Sequence, residues 1–107
     1  MRSLRTKATD ITPKVREKVK ARDKNKCVYC GFGYAINLAH IWVNRSHGGL
    51  GIEQNLVCLC LECHTKLDNG KEIHAKPIRE HCERYLKAHY KIDVEKMRYK
   101  KYENIGD

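Results

Sequence analysis

The sequence predicts a small, zinc-stabilised α+β domain with flanking helices, and three observations carry that prediction. The chain has 107 residues, 7% aromatic and 33% charged, which bounds it to one domain with a thin core. Two Cys-x2-Cys pairs, Cys27/Cys30 and Cys60/Cys63, bracket its centre. Between and after them, segments read in the order strand, strand, helix, helix. Domains this small often depend on a metal or a disulfide. The N-terminus MRSLRTKATDITPK lacks the apolar run of a signal peptide, and no segment approaches the roughly 20 apolar residues of a membrane span. The expectation is a reducing, cytoplasmic compartment, where paired cysteines bind metal more often than they form disulfides.

Taken in order, residues 1–11 read as a flexible arm. Thr12-Pro13 marks a helix start, with Thr12 as N-cap and Pro13 in the first helical position. The basic helix spans 12–26, with Val15 and Val19 one turn apart. CVYCG forms a tight turn, and AINLAHIWV fits a strand. In a strand, Ile36, Leu38, His40 and Trp42 share one face, and Trp42 reads as core. NRSHGGLGIEQN is a long polar loop, in which GGLG either admits close backbone approach to a ligand or simply turns. LVCLC is a second strand, and LECHTKLDN a helix stopped at Asn69-Gly70. Residues 71–76 connect to a helix at 77–90, whose stripe is Ile78, Cys82, Tyr85, Leu86 and His89. The tail, 91–107, is polar.

A Cys-x2-Cys turn brings two thiolates to one metal ion, and two such turns complete a tetrahedron. Cys27, Cys30, Cys60 and Cys63 are therefore the expected ligands of a structural Zn²⁺, with no position left open for water. Cys58 and Cys82 fall outside the spacing and read as small buried apolar residues. Net charge is +9. Ten Lys/Arg against three acids lie in 1–26, and ten against seven in 71–107, flanking a near-neutral centre. A polyanion gripped by the flanks would lie across that centre; solvated helix faces are the plainer explanation.

A zinc ribbon alone needs neither His40, the glycine loop, Asn55 nor His64. Through AHI, RSHGG, NLVCLCLECH and KLD, with flanking cysteine knuckles, the stretch from about 13 to 70 resembles an HNH endonuclease of the ββα-metal (His-Me finger) type. The resemblance implies a DNA endonuclease that hydrolyses phosphodiester bonds. His40 would be its general base and Asn55 the central Asn that ties the loop and orients that histidine. His64 would be a metal ligand, with Asp68 a second ligand on the helix. The catalytic cation would be Mg²⁺, Mn²⁺ or Ni²⁺. Small members of this kind are phage- or prophage-encoded and act in DNA packaging, restriction or mobile-element biology, in a bacterial or phage-infected cell.

The chemistry agrees with the residue types. Phosphodiester hydrolysis needs a deprotonated water and a cation to offset developing charge, and histidine titrates near neutral pH. His64 and Asp68 stand four apart on a helix and face the same way. Arg45, Lys14, Lys18 and Arg22 are the candidate phosphate contacts. One departure stands out. The family carries Asp or His just before the general base, where this chain has Ala39. Either His47 fills in, or His64 and Asp68 hold the metal with more water, or His40 itself binds metal. Zinc binding by His64 and a surface role for Asp68 are the plainer alternatives, and His74, His81 and His89 read as bystanders. Two rival functions remain: a non-catalytic nucleic-acid-binding zinc module, and a zinc-held protein-interaction module.

Overall fold

The computed structural model describes residues 4–34 and 37–99. Helix α1 is Leu4–Thr9 and α2 is Pro13–Asp23. Strand β1 (Asn37–His40) and strand β2 (Leu56–Leu59) pair antiparallel, from Asn37 opposite Leu59 to His40 opposite Leu56. Helices α3 (Leu61–Asn69) and α4 (Glu72–His89) follow. Short 3-10 turns lie at Arg45–His47, Glu53–Asn55 and Val94–Met97.

Helix α2 begins as its sequence dictates, with the Thr12 hydroxyl accepting from the Val15 N–H at 3.2 Å and Pro13 in the first turn. It ends where Lys24 and Asn25 turn left-handed, at φ 57° and 56°. Every residue of β2 is buried, and α2 and α3 pack against it. An unbroken apolar run such as Leu-Val-Cys-Leu suits a strand covered on both faces. Val19, Ile78, Cys82 and Leu86 close the core around it.

The last residue of α2 anchors the fold. The Asp23 side chain is fully buried and accepts from Arg22 Nε (2.6 Å), the Cys58 N–H (2.8 Å) and the Tyr85 hydroxyl (2.5 Å). Arg22 also donates to the carbonyls of Glu53 and Leu56, and its guanidinium lies over the rings of Tyr85 and Tyr90. A buried carboxylate survives only when its oxygens are matched in this way.

Several elements differ from the sequence expectation. The arm holds a helix, α1, whose end is pinned by the Gly51 N–H on the Ala8 carbonyl; Thr9 is buried. On β1 and beyond, Leu38, Ala39, Ile41 and Val43 are buried, His40 and Trp42 are half-buried with Trp42 packed against the core, and Ile36 lies outside the described residues. The connector at 71–76 is helical from Glu72, with Pro77 inside α4. Pro77 and Ile73, one turn earlier, are both exposed, so water can replace the backbone bond that proline forgoes. His89 is exposed, and the buried stripe of α4 is Ala75, Ile78, Cys82 and Leu86. Gly70 stops α3 with φ at −80°; an added Cβ there would overlap the Lys66 carbonyl oxygen. The described tail is strapped to the loop by Leu50 N–H on Met97 O (2.8 Å) and Tyr99 N–H on Gly48 O (2.7 Å), with Met97 buried. The rest of the tail, 100–107, lies outside the described residues. Among the described residues, no helix is long and apolar enough to cross a membrane.

Candidate functional site

The sulfurs of Cys27, Cys30, Cys60 and Cys63 lie within 4.8 Å of one another, and Cys30 and Cys60 are 3.7 Å apart. All six cysteines are free thiols. Four sulfurs at about 2.3 Å from a zinc ion stand about 3.8 Å apart in a tetrahedron. The group could therefore hold a metal such as zinc. Backbone amides already face the sulfurs, from Cys30 to Cys27 (3.4 Å) and from Cys63 to Cys60 (3.5 Å). Burial alone raises the Cys27 thiol, but N–H groups of Cys30, Cys60 and Tyr29 outweigh it and bring it to about 7. Cys58 and Cys82 are fully buried in the core and are not part of this group, and burial pushes both thiols up to about 12.

The zinc group and the predicted catalytic residues share elements. Cys60 is also the N-cap of α3, its sulfur accepting the Cys63 N–H. That start places His64 and Asp68 one turn apart, with Nε2 and Oδ2 3.0 Å from each other. β1 brings its last residue, His40, to the same place. His40, His64 and Asp68 together line a cleft of about 530 Å³, along with Arg16, Arg45 and Ser46.

His40 Nε2 is shielded from solvent and, among the described residues, has no hydrogen-bond partner. The Thr9 backbone hydrogen-bonds the ring, which leaves Nδ1 as the nitrogen so engaged. Burial is the largest influence on this imidazole and holds its pKa below 6.5; the Thr9 bond raises it, the Arg45 charge lowers it and the Asp68 charge raises it. The ring is therefore neutral at pH 7, with a lone pair on the unpartnered nitrogen when Nδ1 carries the proton.

Asn55 is fully buried and uses all its side-chain capacity on the loop. Its Oδ1 accepts from Trp42 N–H (2.8 Å) and Val43 N–H (3.2 Å), and its Nδ2 donates to the carbonyls of Val43 and Leu50, both at 3.1 Å. The chain leaving His40 and the chain entering β2 are thereby clamped together. The glycines of the loop serve the same packing. A Cβ at Gly49 would overlap the Val43 carbonyl, and one at Gly51 the Asp10 carbonyl, so the close backbone approach is internal.

The remaining sequence candidates divide. Lys14 and Lys18 are exposed on α2. Arg22 turns inward onto Asp23, with 11% of its side chain exposed, and is withdrawn from the phosphate contacts. Arg45 borders the cleft but pairs with Asp10. His47 is exposed and lines an adjoining smaller cleft with His40 and Asp68. Ala39 is buried in the core cluster. His74 is exposed, His81 bonds the Val28 carbonyl and His89 the Tyr85 carbonyl. Sequence reasoning missed Arg16, which the turn between α1 and α2 sets in the cleft wall, and Thr9, which orients His40. Neither carries a local sequence signal. Among the described residues, the four cysteines are the group of three or more donors in mutual reach; His64 and Asp68 make a pair.

The chain matches no protein-family model, no curated protein and no solved structure.

Proposed function

We propose that this chain is a metal-dependent DNA endonuclease of the HNH, ββα-metal kind, held together by a structural Zn²⁺ on Cys27, Cys30, Cys60 and Cys63. The observation that carries this reading is the meeting of His40, His64 and Asp68 in one open cleft, with His40 Nε2 unpartnered. A plain zinc module has no use for a neutral, unpartnered imidazole beside a His–Asp pair.

His64 Nε2 and Asp68 Oδ2 offer one nitrogen and one oxygen donor, the sparse set that suits a cation retaining several waters. A divalent cation held there supplies charge neutralisation at the phosphate and the leaving oxygen. His40 is the general base in this reading, its ring held by the Thr9 backbone. Asn55 acts at a distance from the reaction, by holding Trp42 and Val43 so that His40 keeps its place. Lys14 and Lys18 on α2, and Arg16 in the cleft wall, provide cations for backbone phosphates, a contact set that positions DNA without reading sequence.

The test is nicking of supercoiled plasmid by zinc-loaded protein in Mg²⁺, Mn²⁺ and Ni²⁺. Metal-dependent nicking that vanishes in His40→Ala and in His64→Ala supports the proposal. Salt-sensitive DNA binding without nicking in any metal overturns it in favour of a non-catalytic nucleic-acid-binding zinc module.

A further inference from the structure

Beside the cleft that holds His40, His64 and Asp68 lies a second, of about 250 Å³. Both are bordered by His40, Asn44 and Asp68, so the two clefts adjoin at these residues. The second cleft is lined by side chains from three parts of the chain: His47 of the loop and the guanidinium groups of Arg79 on α4 and Arg98 in the tail. Trp42 also lines it, with Lys87 Nζ 5.7 Å from the ring centre.

Two features of this cleft have no use in the proposed mechanism. The Trp42 indole N–H is buried and, among the described residues, has no partner, which is uncommon for a buried donor. Arg98 is exposed, and among the described residues no carboxylate pairs with it, whereas Arg79 is paired with Glu72 at 2.6 Å. Asp68 is the acid lining this cleft, and its carboxylate is engaged by His64.

The tail is built to hold Arg98 there. Residue 98 bridges Gly49, and the bonds on either side of it, Leu50 N–H to Met97 O and Tyr99 N–H to Gly48 O, fix its register. Buried Met97 locks the strap from below. A solvated polar tail requires none of this.

We propose that the segment Val94–Tyr99 completes a phosphate subsite, in which Arg98, with Arg79, His47 and the Trp42 N–H, holds the phosphate of a nucleic-acid strand next to the one at His64 and Asp68. The inference rests on the reading that a nucleic-acid strand crosses the His40 cleft. It names the side by which the strand leaves it. Guanidinium groups suit this task because they offer several donors to phosphate oxygens at once.

Trp42 is the chain's one tryptophan, so it reports directly on this cleft. Zinc-loaded, full-length protein is titrated with a short oligothymidylate, without added divalent cation, and Trp42 fluorescence is followed. The oligonucleotide is expected to change the emission, with an affinity that falls as salt rises. Arg98→Gln is expected to weaken binding by about tenfold or more, the size of a lost charge-assisted contact. Arg98→Lys retains the salt dependence and recovers part of the affinity. Arg84→Gln, exposed on α4 away from both clefts, leaves it unchanged. Zinc content and circular dichroism confirm that each variant is folded. Absence of binding, binding without a change at Trp42, or equal affinity of Arg98→Gln and the parent overturns the subsite. Plasmid nicking is read separately. Nicking by the parent with binding indifferent to Arg98→Gln rejects the subsite alone. Oligonucleotide binding that needs Arg98 without nicking rejects the nuclease and keeps the subsite.

Discussion

Replacing Asn55 by Ala removes four hydrogen bonds from a side chain with no solvent exposure. Two N–H groups, of Trp42 and Val43, and two carbonyls, of Val43 and Leu50, lose their partner together. Each buried polar group left unpaired costs about 1–3 kcal/mol, and water entering the vacated space recovers part of that. A net loss of about 4 kcal/mol is expected, a large share of the roughly 5–15 kcal/mol that holds a domain. Asn55→Asp separates the two halves of the clamp. It keeps the oxygen that accepts from Trp42 and Val43 but turns a second oxygen toward the Val43 and Leu50 carbonyls, so it too is destabilising. Urea unfolding of zinc-loaded protein measures the loss, and hydrogen exchange at the Trp42 and Val43 amides locates it. A change below about 1 kcal/mol, with both amides still protected, would refute the assignment of Asn55 as the clamp of the loop.

Three further outcomes follow from the same geometry. Cys60→Ala removes one of the four candidate metal ligands and the cap of α3 at once, so it should abolish one-to-one zinc binding and the cooperative thermal transition, whereas Cys82→Ala should retain stoichiometric zinc. Asp23→Asn strips the counter-charge from a mostly buried Arg22 and should cost about 3 kcal/mol in urea unfolding. The His40 imidazole should titrate below 6.5 by NMR, since burial disfavours its charged form. The unfolded chain then takes up this proton at higher pH than the native one, so stability falls as pH drops below 6.5 and is indifferent to His40 above it. A value at or above 6.5 would contradict the burial of the ring.

What the sequence disclosed was set by local chemistry. Thr12-Pro13 fixes the start of α2 whatever packs on it, and the Cys-x2-Cys spacing places two sulfurs on one ion through backbone geometry alone. LECHTKLDN matches α3 residue for residue because cap, periodicity and stop all lie within nine residues. That both faces of β1 are covered, Leu38 and Ala39 alike being buried, was illegible for a physical reason. Both alternating sets, Leu38 with Trp42 and Ala39 with Ile41 and Val43, are apolar, so period two chooses neither. The inward turn of Arg22 was hidden by the basic run around it, since Lys14, Lys18 and Lys20 share its charge but not its partners. α1 and the tail strap are held through backbone bonds to Gly51, Gly48 and Leu50, which leave no mark on side-chain patterning.

The zinc group and the His40 cleft are one mechanical unit. β2 enters through Asn55, which clamps the residues after His40, and leaves through Cys60, which caps α3 and belongs to the four-cysteine group. Between these two points lie the four residues whose pairing with β1 sets the height of His40 against α3. Any shift of Cys60 therefore moves the first turn of α3 and, with it, His64 and Asp68. A slip of one residue in the β1–β2 register would send His40 to the other face. A metal ion held by the four cysteines would fix the C-terminal end of this span, as Asn55 fixes the other. That explains why a site of three polar side chains can be held in a chain with so thin a core. A structural zinc ion, with roughly 10–16 kcal/mol of apparent binding energy, is large enough to set the geometry of the cleft as well as the stability of the fold. Partial zinc loss should accordingly loosen the His64–Asp68 pair before α2 and the Asp23 network open, because that network reaches β2 at Cys58 and does not pass through the metal.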